Sequence, residues 1–241
     1  MSSPTDLYES DDAGQSRLRG EREGRPIVMT ITQILTGGDR NFGYVLADEG
    51  SNEAALVDPS YAPERLVKCA EEAGYRVRYI LVTHDHDDHT NGNARAKALT
   101  GAKVVMHRLG RGEADVRVDD GDTITLGRLS IRALHTPGHN PAHVCYYVGD
   151  AVFTGDTLFV GKVGGTDFGE QARQEYESLH GKLLLLPGET RVFPGHNYGL
   201  QSESTIAHER ETNPFLLQPD FASFVDLKRN WAEYKRTHGI P

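Results

Sequence analysis

The feature that most constrains this chain is a short run of metal-ligating side chains placed directly after an apolar segment. Residues 83–89 read Thr-His-Asp-His-Asp-Asp-His, so three histidines and three aspartates fill positions 84–89. The preceding residues 79–82 are Tyr-Ile-Leu-Val and predict a buried strand. Crowding imidazoles and carboxylates on one loop is unfavourable without a cation, and both groups are ligands that Zn²⁺ accepts. The run therefore predicts a metal site at the end of a strand.

Three further donor residues each follow an apolar segment in the same way. His139 ends the segment 135–139 (His-Thr-Pro-Gly-His), Asp156 lies in 155–157 (Gly-Asp-Thr), and His196 ends 194–196 (Pro-Gly-His). Taken singly, each would more often be a turn or core residue. Because all of them follow strands, their joint occurrence predicts that they share one site with the histidine-rich run.

Composition excludes several other classes of protein. The chain has 241 residues, which suits a single core, and its 26 basic against 35 acidic residues give a net charge of -9. Without a cluster of Lys and Arg, we expect no binding to nucleic acid or to anionic membranes. The two cysteines, Cys69 and Cys145, exclude a disulfide scaffold and favour a reducing compartment. The sequence does not indicate an oligomeric state.

The chain divides into an arm and one domain. Residues 1–25 are polar and glycine-containing, which predicts a disordered N-terminal arm. Residues 26–241, including the C-terminal helices, are expected to form the catalytic domain. No apolar run approaches the roughly 18 residues of a membrane span, and the N-terminus lacks the pattern of a signal peptide. We therefore expect a cytoplasmic protein.

Each half of the domain begins with predicted strands and ends with predicted helices. Helical spacing covers residues 62–73, 170–185, 201–211 and 220–236, and short apolar or alternating runs between turn residues predict the strands. Two such mixed halves indicate an α/β (α+β) fold, in which two mixed sheets pack face to face with helices outside.

The motifs THDHDDH, HTPGH, FTGDT and PGHNY occur in this order and resemble the metal-binding motifs of the metallo-β-lactamase superfamily. The resemblance extends from about residue 27 to the C-terminus. It implies an αββα sandwich with the metal site at one edge of the two sheets, and Asp58 would brace the metal loop. It also implies seven ligands: His84, His86 and His139 for a first metal, Asp88, His89 and His196 for a second, and Asp156 between them.

Such a ligand set predicts two divalent metals, with Zn²⁺ expected and iron as the other candidate. Two metals about 3.5 to 4 Å apart lower the pKa of bound water to about 7 and stabilise an oxyanion. Asp88 would be the catalytic residue that orients the metal-bound hydroxide. A non-catalytic metal-binding protein is the least favoured reading, because a closed structural zinc site does not need seven ligands and an open position.

Two thiol-linked branches of the superfamily resemble this chain. Glyoxalase II hydrolyses S-acylglutathione thioesters, and the motif FTGDTLF together with residues 213–215 (Asn-Pro-Phe) favours it. The persulfide dioxygenases use one iron, and the retained residues 166–168 (Thr-Asp-Phe) favour that branch. There, only His84, His139 and Asp156 would bind metal, as the facial triad that suits Fe(II). Our hypothesis is a metal-dependent hydrolase of thioesters, with the dioxygenase as the alternative.

The chain departs from both branches near the expected substrate site. Asp87 and Gly165 replace an Ala and an Arg usual in the dioxygenases, and the loop around Gly165 lacks the Lys and Tyr with which glyoxalase II holds glutathione. The remaining candidates for substrate contact are Tyr198, Lys228 and Lys162. A small thioester or other thiol-derived molecule is the expected substrate.

Overall fold

The structure, a computed structural model, describes residues 15–22 and 25–240, and side chains from residue 28 onward. The strands are β1 Gln15–Arg22, β2 Arg25–Gly37, β3 Asn41–Asp48, β4 Glu53–Val57, β5 Arg76–Leu81, β6 Lys103–His107, β7 Val116–Val118, β8 Thr123–Leu126, β9 Leu129–His135, β10 Val144–Val148, β11 Ala151–Gly155, β12 Leu158–Phe159, β13 Lys162–Val163, β14 Arg191–Pro194 and β15 Ser204–Thr205. The helices are α1 Pro63–Glu72, α2 Asp87–Thr90, α3 Asn93–Thr100, α4 Glu170–Gly181, α5 Ile206–Thr212, α6 Phe221–Arg229 and α7 Trp231–His238, with a 3-10 turn at Leu183–Leu185.

The strands form two large mixed sheets. The first has the order β1-β2-β3-β4-β5-β6-β7 and the second the order β15-β14-β11-β10-β9-β8, while β12 and β13 form a small hairpin. In the first sheet β4, β5, β6 and β7 run parallel to one another, and in the second β11 and β14 are parallel. The predicted pair of mixed sheets is confirmed.

The two sheets bury one apolar core between them. Tyr44 of β3 packs edge-on against Phe153 of β11 and Phe193 of β14, with ring centroids 5.1 and 5.6 Å apart. A second cluster lies between the first sheet and helices α1 and α3, and a third joins the second sheet to α4, α5 and α6. This is the predicted αββα sandwich, in which burial of apolar area on both faces of each sheet drives folding.

The helices follow the sequence prediction, with differences at their ends. Helix α1 begins with Pro63, whose missing N–H suits a first turn. Helix α5 begins later than predicted because the hydroxyl of Thr205 accepts the N–H of His208 and caps it. The predicted helix over 220–236 is divided into α6 and α7 at Asn230, whose side-chain amide donates to the carbonyl of Asp226.

Part of the N-terminal arm that was predicted to be disordered forms a strand. Residues 1–14 and 23–24 lie outside the described residues, but Gln15–Arg22 forms β1, antiparallel to β2. Apolar periodicity could not show this strand, because pairing at a sheet edge rests on backbone hydrogen bonds. Cys69 and Cys145 are both free. In the described part of the chain, every helix is too short or too polar to cross a membrane.

The ends of the central strands bring the donor residues to one edge of the sandwich. Strands β4, β5, β11 and β14 all end there, and backbone hydrogen bonds join the two sheets at this edge. The N–H of Phe42 donates to the carbonyl of Gly195 at 2.8 Å, and the N–H of Val144 donates to that of Thr83 at 2.8 Å. The loops that follow these strands are therefore held against one another.

Candidate metal centre

Three histidines from two loops form a first donor group. His84 and His86 follow β5, and His139 follows β9. His86 Nδ1 lies 3.0 Å from His84 Nε2 and 3.1 Å from His139 Nε2. His84 is fully buried and the other two are half-buried. These are three of the residues that the sequence predicted to share a metal.

A second donor group lies beside the first. Asp88 and His89 belong to α2, and His196 follows β14. His196 Nε2 is 3.2 Å from His89 Nε2 and 3.4 Å from Asp88 Oδ2, and His89 Nε2 is 3.5 Å from the same carboxylate oxygen. The structure therefore brings together all three residues predicted for a second metal.

Asp156, which follows β11, lies between the two groups. Its Oδ1 is 3.3 Å from His89 Nε2, and its Oδ2 is 3.4 Å from His196 Nε2 and 3.6 Å from His139 Nε2. The predicted bridging aspartate thus contacts donors of both groups. The other aspartates of the run point elsewhere: Asp85 Oδ1 accepts the amide of Asn140 at 2.7 Å, and Asp87 is exposed.

Asp58, at the end of β4, braces a histidine of each group. His89 Nδ1 donates to Asp58 Oδ2 at 2.9 Å. The hydroxyl of Thr83 donates to the same oxygen at 2.6 Å and lies 3.1 Å from His84 Nδ1, whose hydrogen it is placed to accept. The Thr83 backbone N–H also donates to Asp58 Oδ1 at 2.9 Å. These bonds agree with the bracing role predicted for Asp58.

Backbone carbonyls fix two further rings, those of His139 and His196. His139 Nδ1 donates to the carbonyl of Gly165 at 2.8 Å, and His196 Nδ1 donates to that of Asp39 at 2.9 Å. Since a carbonyl only accepts, each Nδ1 must carry the hydrogen, and each Nε2 is left facing the centre. Hydrogen bonds of this kind set the tautomer of metal-ligating histidines.

The donor atoms fit a metal cation better than they fit one another. In the first group three imidazole nitrogens converge at hydrogen-bond distance, although His84 and His139 already have Nδ1 hydrogens committed elsewhere. Burial lowers the pKa of both rings, so they are neutral and present lone pairs. Lone pairs facing a shared point repel unless a cation lies between them. The histidine and aspartate clusters therefore support the use of metal.

Two glycines allow the loops to approach this closely. A Cβ on Gly195 would lie 2.4 Å from Asp156 Oδ1 and 2.9 Å from His89 Cε1. Gly155 has a φ of +46°, and a Cβ there would meet His143 Nε2 at 2.6 Å. Any side chain at either position would displace the donors that the loops carry.

Two further histidines, His143 and His135, lie near the motifs and have different roles. His143 Nε2 accepts the backbone N–H of Asp156 at 3.0 Å, and its ring stacks on His84 at a centroid distance of 5.0 Å. It therefore supports the centre by holding Asp156 and packing on His84. His135 instead stacks on His107 at 4.0 Å and donates to the carbonyl of Pro141, so its role is in the surrounding loop structure.

Tyr198 and Lys162, two of the predicted substrate contacts, line a cavity of about 690 Å³ beside the second donor group. The ring of Tyr198 stacks on His196 at 4.7 Å, and Lys162 Nζ lies 4.5 Å from the centroid of the Tyr198 ring. The other lining residues are Asp39, Arg40, Val160, Gly161, Gly199, Leu200, Gln201, His208, Thr212, Pro214, Trp231, Lys235 and Ile240.

The structure does not bring Lys228, the third predicted contact, to this cavity. Its side chain is 6% exposed, and its ammonium lies 2.5 Å from Glu175 Oε2 and donates to the carbonyl of Gly164 at 2.6 Å. The sequence places Lys228 on a helix but does not show which face is buried, and the polar pattern of α6 resembles a solvated face.

Several supporting residues are not indicated by the sequence. Asn41 Nδ2 donates to Asp88 Oδ2 at 3.0 Å and to the Asp88 carbonyl at 3.1 Å. Arg40 and Lys235 line the cavity together with Lys162. For Arg40 and Asn41 the only sequence signal is the turn Gly-Gly-Asp-Arg-Asn at 37–41. This signal is weak, because a polar turn between two strands is common on any surface.

The fold and the site define a metallo-β-lactamase protein. The sequence model of the metallo-β-lactamase superfamily matches residues 36–196, and these residues contain all seven predicted ligands. The chain belongs to this superfamily. Among solved structures, ETHE1 from Myxococcus xanthus is similar with a TM-score of 0.79 at 33% identity, covering 83% of this chain and 90% of that one.

Relatives carry two different activities in their names. Human mitochondrial persulfide dioxygenase ETHE1 is 35% identical over 83% of this chain and 81% of the relative. The cytoplasmic hydroxyacylglutathione hydrolase of Arabidopsis thaliana is 41% identical over 83% of this chain and 77% of the relative. A crystal structure described as a di-iron-bound form is similar with a TM-score of 0.66 at 31% identity, covering 76% of this chain and 99% of that one.

Proposed function

We propose that this chain is a metal-dependent hydrolase of thioesters, similar in activity to the hydroxyacylglutathione hydrolases. The observation that carries the proposal is the second donor group. Asp88, His89 and His196 converge as closely as the first group does, and the two imidazoles have orienting acceptors of their own. A single-metal enzyme has no need of this second, separately braced set.

In this proposal His84, His86 and His139 hold one divalent metal, Asp88, His89 and His196 hold the other, and Asp156 contacts both. Zinc is the expected metal, and the similarity to a di-iron-bound structure makes iron the other candidate. When bound, two such metals supply a nucleophile from water at neutral pH and stabilise negative charge on a carbonyl oxygen.

The chain's own residues then orient the reactants. Asp88 is half-buried, and its Oδ2 points into the centre between His89 and His196, where it can accept a hydrogen bond from the attacking water. The side-chain amide of Asn41 donates to the same oxygen and fixes its position. A thiolate is a good leaving group, so a strong general acid is not required.

The cavity beside the second group suits an anionic thiol carrier. Arg40, Lys162 and Lys235 line it, against a single acidic side chain, Asp39, whose carboxylate accepts the hydroxyl of Tyr198 at 2.7 Å. Burial lowers the pKa of Lys162, so a bound carboxylate would compensate a cost that the lysine already bears. Glutathione, with two carboxylates, is such a carrier.

The alternative function is that of a persulfide dioxygenase. It is supported by the similarity to the human persulfide dioxygenase ETHE1 and to the Myxococcus xanthus protein that is also named ETHE1, and by the retained residues 166–168 (Thr-Asp-Phe). Only His84, His139 and Asp156 would then bind one iron. Cytoplasmic location stays a prediction, since one relative is named cytoplasmic and another mitochondrial.

Metal analysis combined with two assays tests the proposal. Purified protein is analysed for zinc and iron, then assayed for thiol release from S-lactoylglutathione and for O₂ uptake with glutathione persulfide. We expect two metals per chain and thiol release that is lost on chelation and restored by zinc. One iron per chain, with O₂ uptake and no thiol release, would overturn the proposal in favour of the dioxygenase.

A further inference from the structure

A buried ion pair lies beneath the loop that orients the first donor group. Glu175 of α4 is fully buried and Lys228 of α6 is 6% exposed, and their charged atoms are 2.5 Å apart. Both residues lie on helices outside the second sheet, far in sequence from the metal motifs. Lys228 also donates to the carbonyl of Gly164 at 2.6 Å, which ties α6 to the loop after β13.

Glu175 contacts the two loop segments on either side of His139. The backbone of α4 at Glu175 packs so closely on Gly138 that a Cβ there would lie 2.5 Å from Glu175 Cα. The carboxylate reaches the other segment, since a Cβ on Gly164 would lie 2.9 Å from Glu175 Oε1 and 3.1 Å from His139 Cβ. Glu175 thus packs on both loop segments that flank His139, on Gly138 close to its backbone and on Gly164 through its carboxylate.

The next residue in the loop completes the connection. Lys228 holds the carbonyl of Gly164, and the carbonyl of Gly165 accepts His139 Nδ1 at 2.8 Å. Moving the ion pair would therefore move the acceptor that sets the tautomer and orientation of this ring.

The energetic cost of burying this ion pair indicates that its role is to position the loop and not to stabilise the fold. Burying two charges costs several kcal/mol per ion in general, and apolar residues of similar volume are often at least as stable. Burial raises the pKa of Glu175 to about 7 although Lys228 opposes this shift, so the desolvation cost is visible at this site. A hydrophobic pair could not hold the Gly164 carbonyl.

We propose that Glu175 and Lys228 are positioning residues that hold the 164–165 loop and thereby orient His139 in the first donor group. The proposal rests on the proposed function only in that this group binds metal. It assigns Lys228 a role through His139 and not through substrate.

Three variants test this role: Lys228→Met, Glu175→Gln, and the two combined. Zn²⁺ affinity of each donor group is measured by competition with a chromophoric chelator, and Co²⁺ absorption spectra report the geometry of each site. For Lys228→Met we expect metal at the first group to bind about 10- to 100-fold more weakly, with the second group unchanged. kcat should fall, and KM should change equally for thioesters of charged and uncharged thiols.

The double variant separates positioning from folding. Each single variant removes the partner of a buried ionisable side chain and should melt at a lower temperature, whereas the double variant should recover thermal stability and still bind metal weakly at the first group. An exposed pair on α1, Lys68 and Glu72 at 3.5 Å, provides the matched control: Lys68→Met and Glu72→Gln should change neither quantity.

Other results would overturn the role. Unchanged metal affinity and unchanged Co²⁺ spectra in a folded Lys228→Met or double variant would contradict it. A rise in KM confined to the anionic thioester would show that Lys228 contacts substrate instead. Failure of the unmodified protein to bind two metals would count against the proposed function, whereas a defect confined to the variants concerns the ion pair alone.

Discussion

The two donor groups are held in place by different parts of the molecule. The second group is anchored by the first sheet and its β2–β3 turn, through the carboxylate of Asp58, the carbonyl of Asp39 and the amide of Asn41. In the first group, His84 is braced from the same sheet through Thr83, but His139 depends on the carbonyl of Gly165. That carbonyl lies in a loop supported by α4 and α6.

This difference teaches that one centre can depend on two independent supports. Asp58, Asp39 and Asn41 hydrogen-bond directly to the ligands of the second group that they orient. The support of His139 comes from helices encoded 30 to 90 residues later, roughly, and reaches it through loop contacts of modest strength. We therefore expect changes in the C-terminal helices to affect the first group alone, and changes at the end of β4 to affect both.

The largest effect is expected where the two groups meet. Asp156→Ala removes the carboxylate that contacts His89, His139 and His196, so both groups lose a donor. We expect kcat/KM to fall by about 10³-fold or more, equivalent to about 4 kcal/mol, and bound metal to fall below one per chain. Elemental analysis and turnover check this together. Retention of two metals would show that Asp156 is not shared.

His86→Ala distinguishes the two functions through the first group. A two-metal hydrolase uses His86 as a ligand, so its loss should lower kcat/KM by about 10²-fold, or about 2.7 kcal/mol. A dioxygenase that binds iron through His84, His139 and Asp156 would retain much of its turnover. The measurement is thiol release and O₂ uptake by the same preparation, with metal content determined beside it. Near-normal turnover would contradict the two-metal proposal.

Asp58→Asn tests the support that the groups share. Asn keeps the shape and tolerates the φ of +44° at this position, but one carboxylate oxygen becomes an NH₂ donor, so the side chain can no longer accept all three hydrogen bonds from Thr83 and His89. We expect metal affinity of both groups to weaken by about 10- to 100-fold, as measured by chelator competition. A loss confined to one group would show that Asp58 does not couple them. Asn52→Asp, at another positive φ in a turn away from the site, is the control.

The sequence was sufficient to predict the fold and to predict which donor residues lie together, and the reason is local. Each ligand follows an apolar strand, and the ends of neighbouring strands meet at one edge, so a linear pattern becomes a cluster. The two mixed sheets with helices outside follow from the apolar runs and the helical spacing, and the resemblance to the metallo-β-lactamase superfamily implied the sandwich with its metal site at one edge. In such motifs the donor residues and the strand that positions them are adjacent in sequence. Their position and their chemistry can therefore be predicted without knowledge of distant contacts.

The residues that support the ligands could not be found in this way. Lys228 was expected at the substrate because of its position along the chain, but which face of a helix is buried depends on its neighbours in space. Asn41 is one polar residue in a turn, and only the approach of Asp88 from another element gives it a role. The cap at Thr205 and the break at Asn230 likewise depend on side-chain hydrogen bonds.

The smallest expected effect concerns protons and distinguishes the groups directly. Burial would lower the pKa of His196, but its contacts with Asp156 and Asp88 raise it to about 9, so this ring carries a proton at pH 7 in the metal-free protein. Metal must displace that proton, and affinity at the second group should rise with pH until about 9. His84 and His139 are neutral and should release none.

Calorimetric titration with Zn²⁺ at pH 7, in buffers of different ionisation enthalpy, measures the protons released. We expect at least about one proton for the second group and none from His84 or His139. The same shift stabilises the metal-free fold at pH values below the ordinary histidine pKa of about 6.5, and this contribution is lost as pH rises through about 9. Equal proton release by both groups would contradict the expected difference between His196, which carries a proton in the metal-free protein, and His84 and His139, which are neutral.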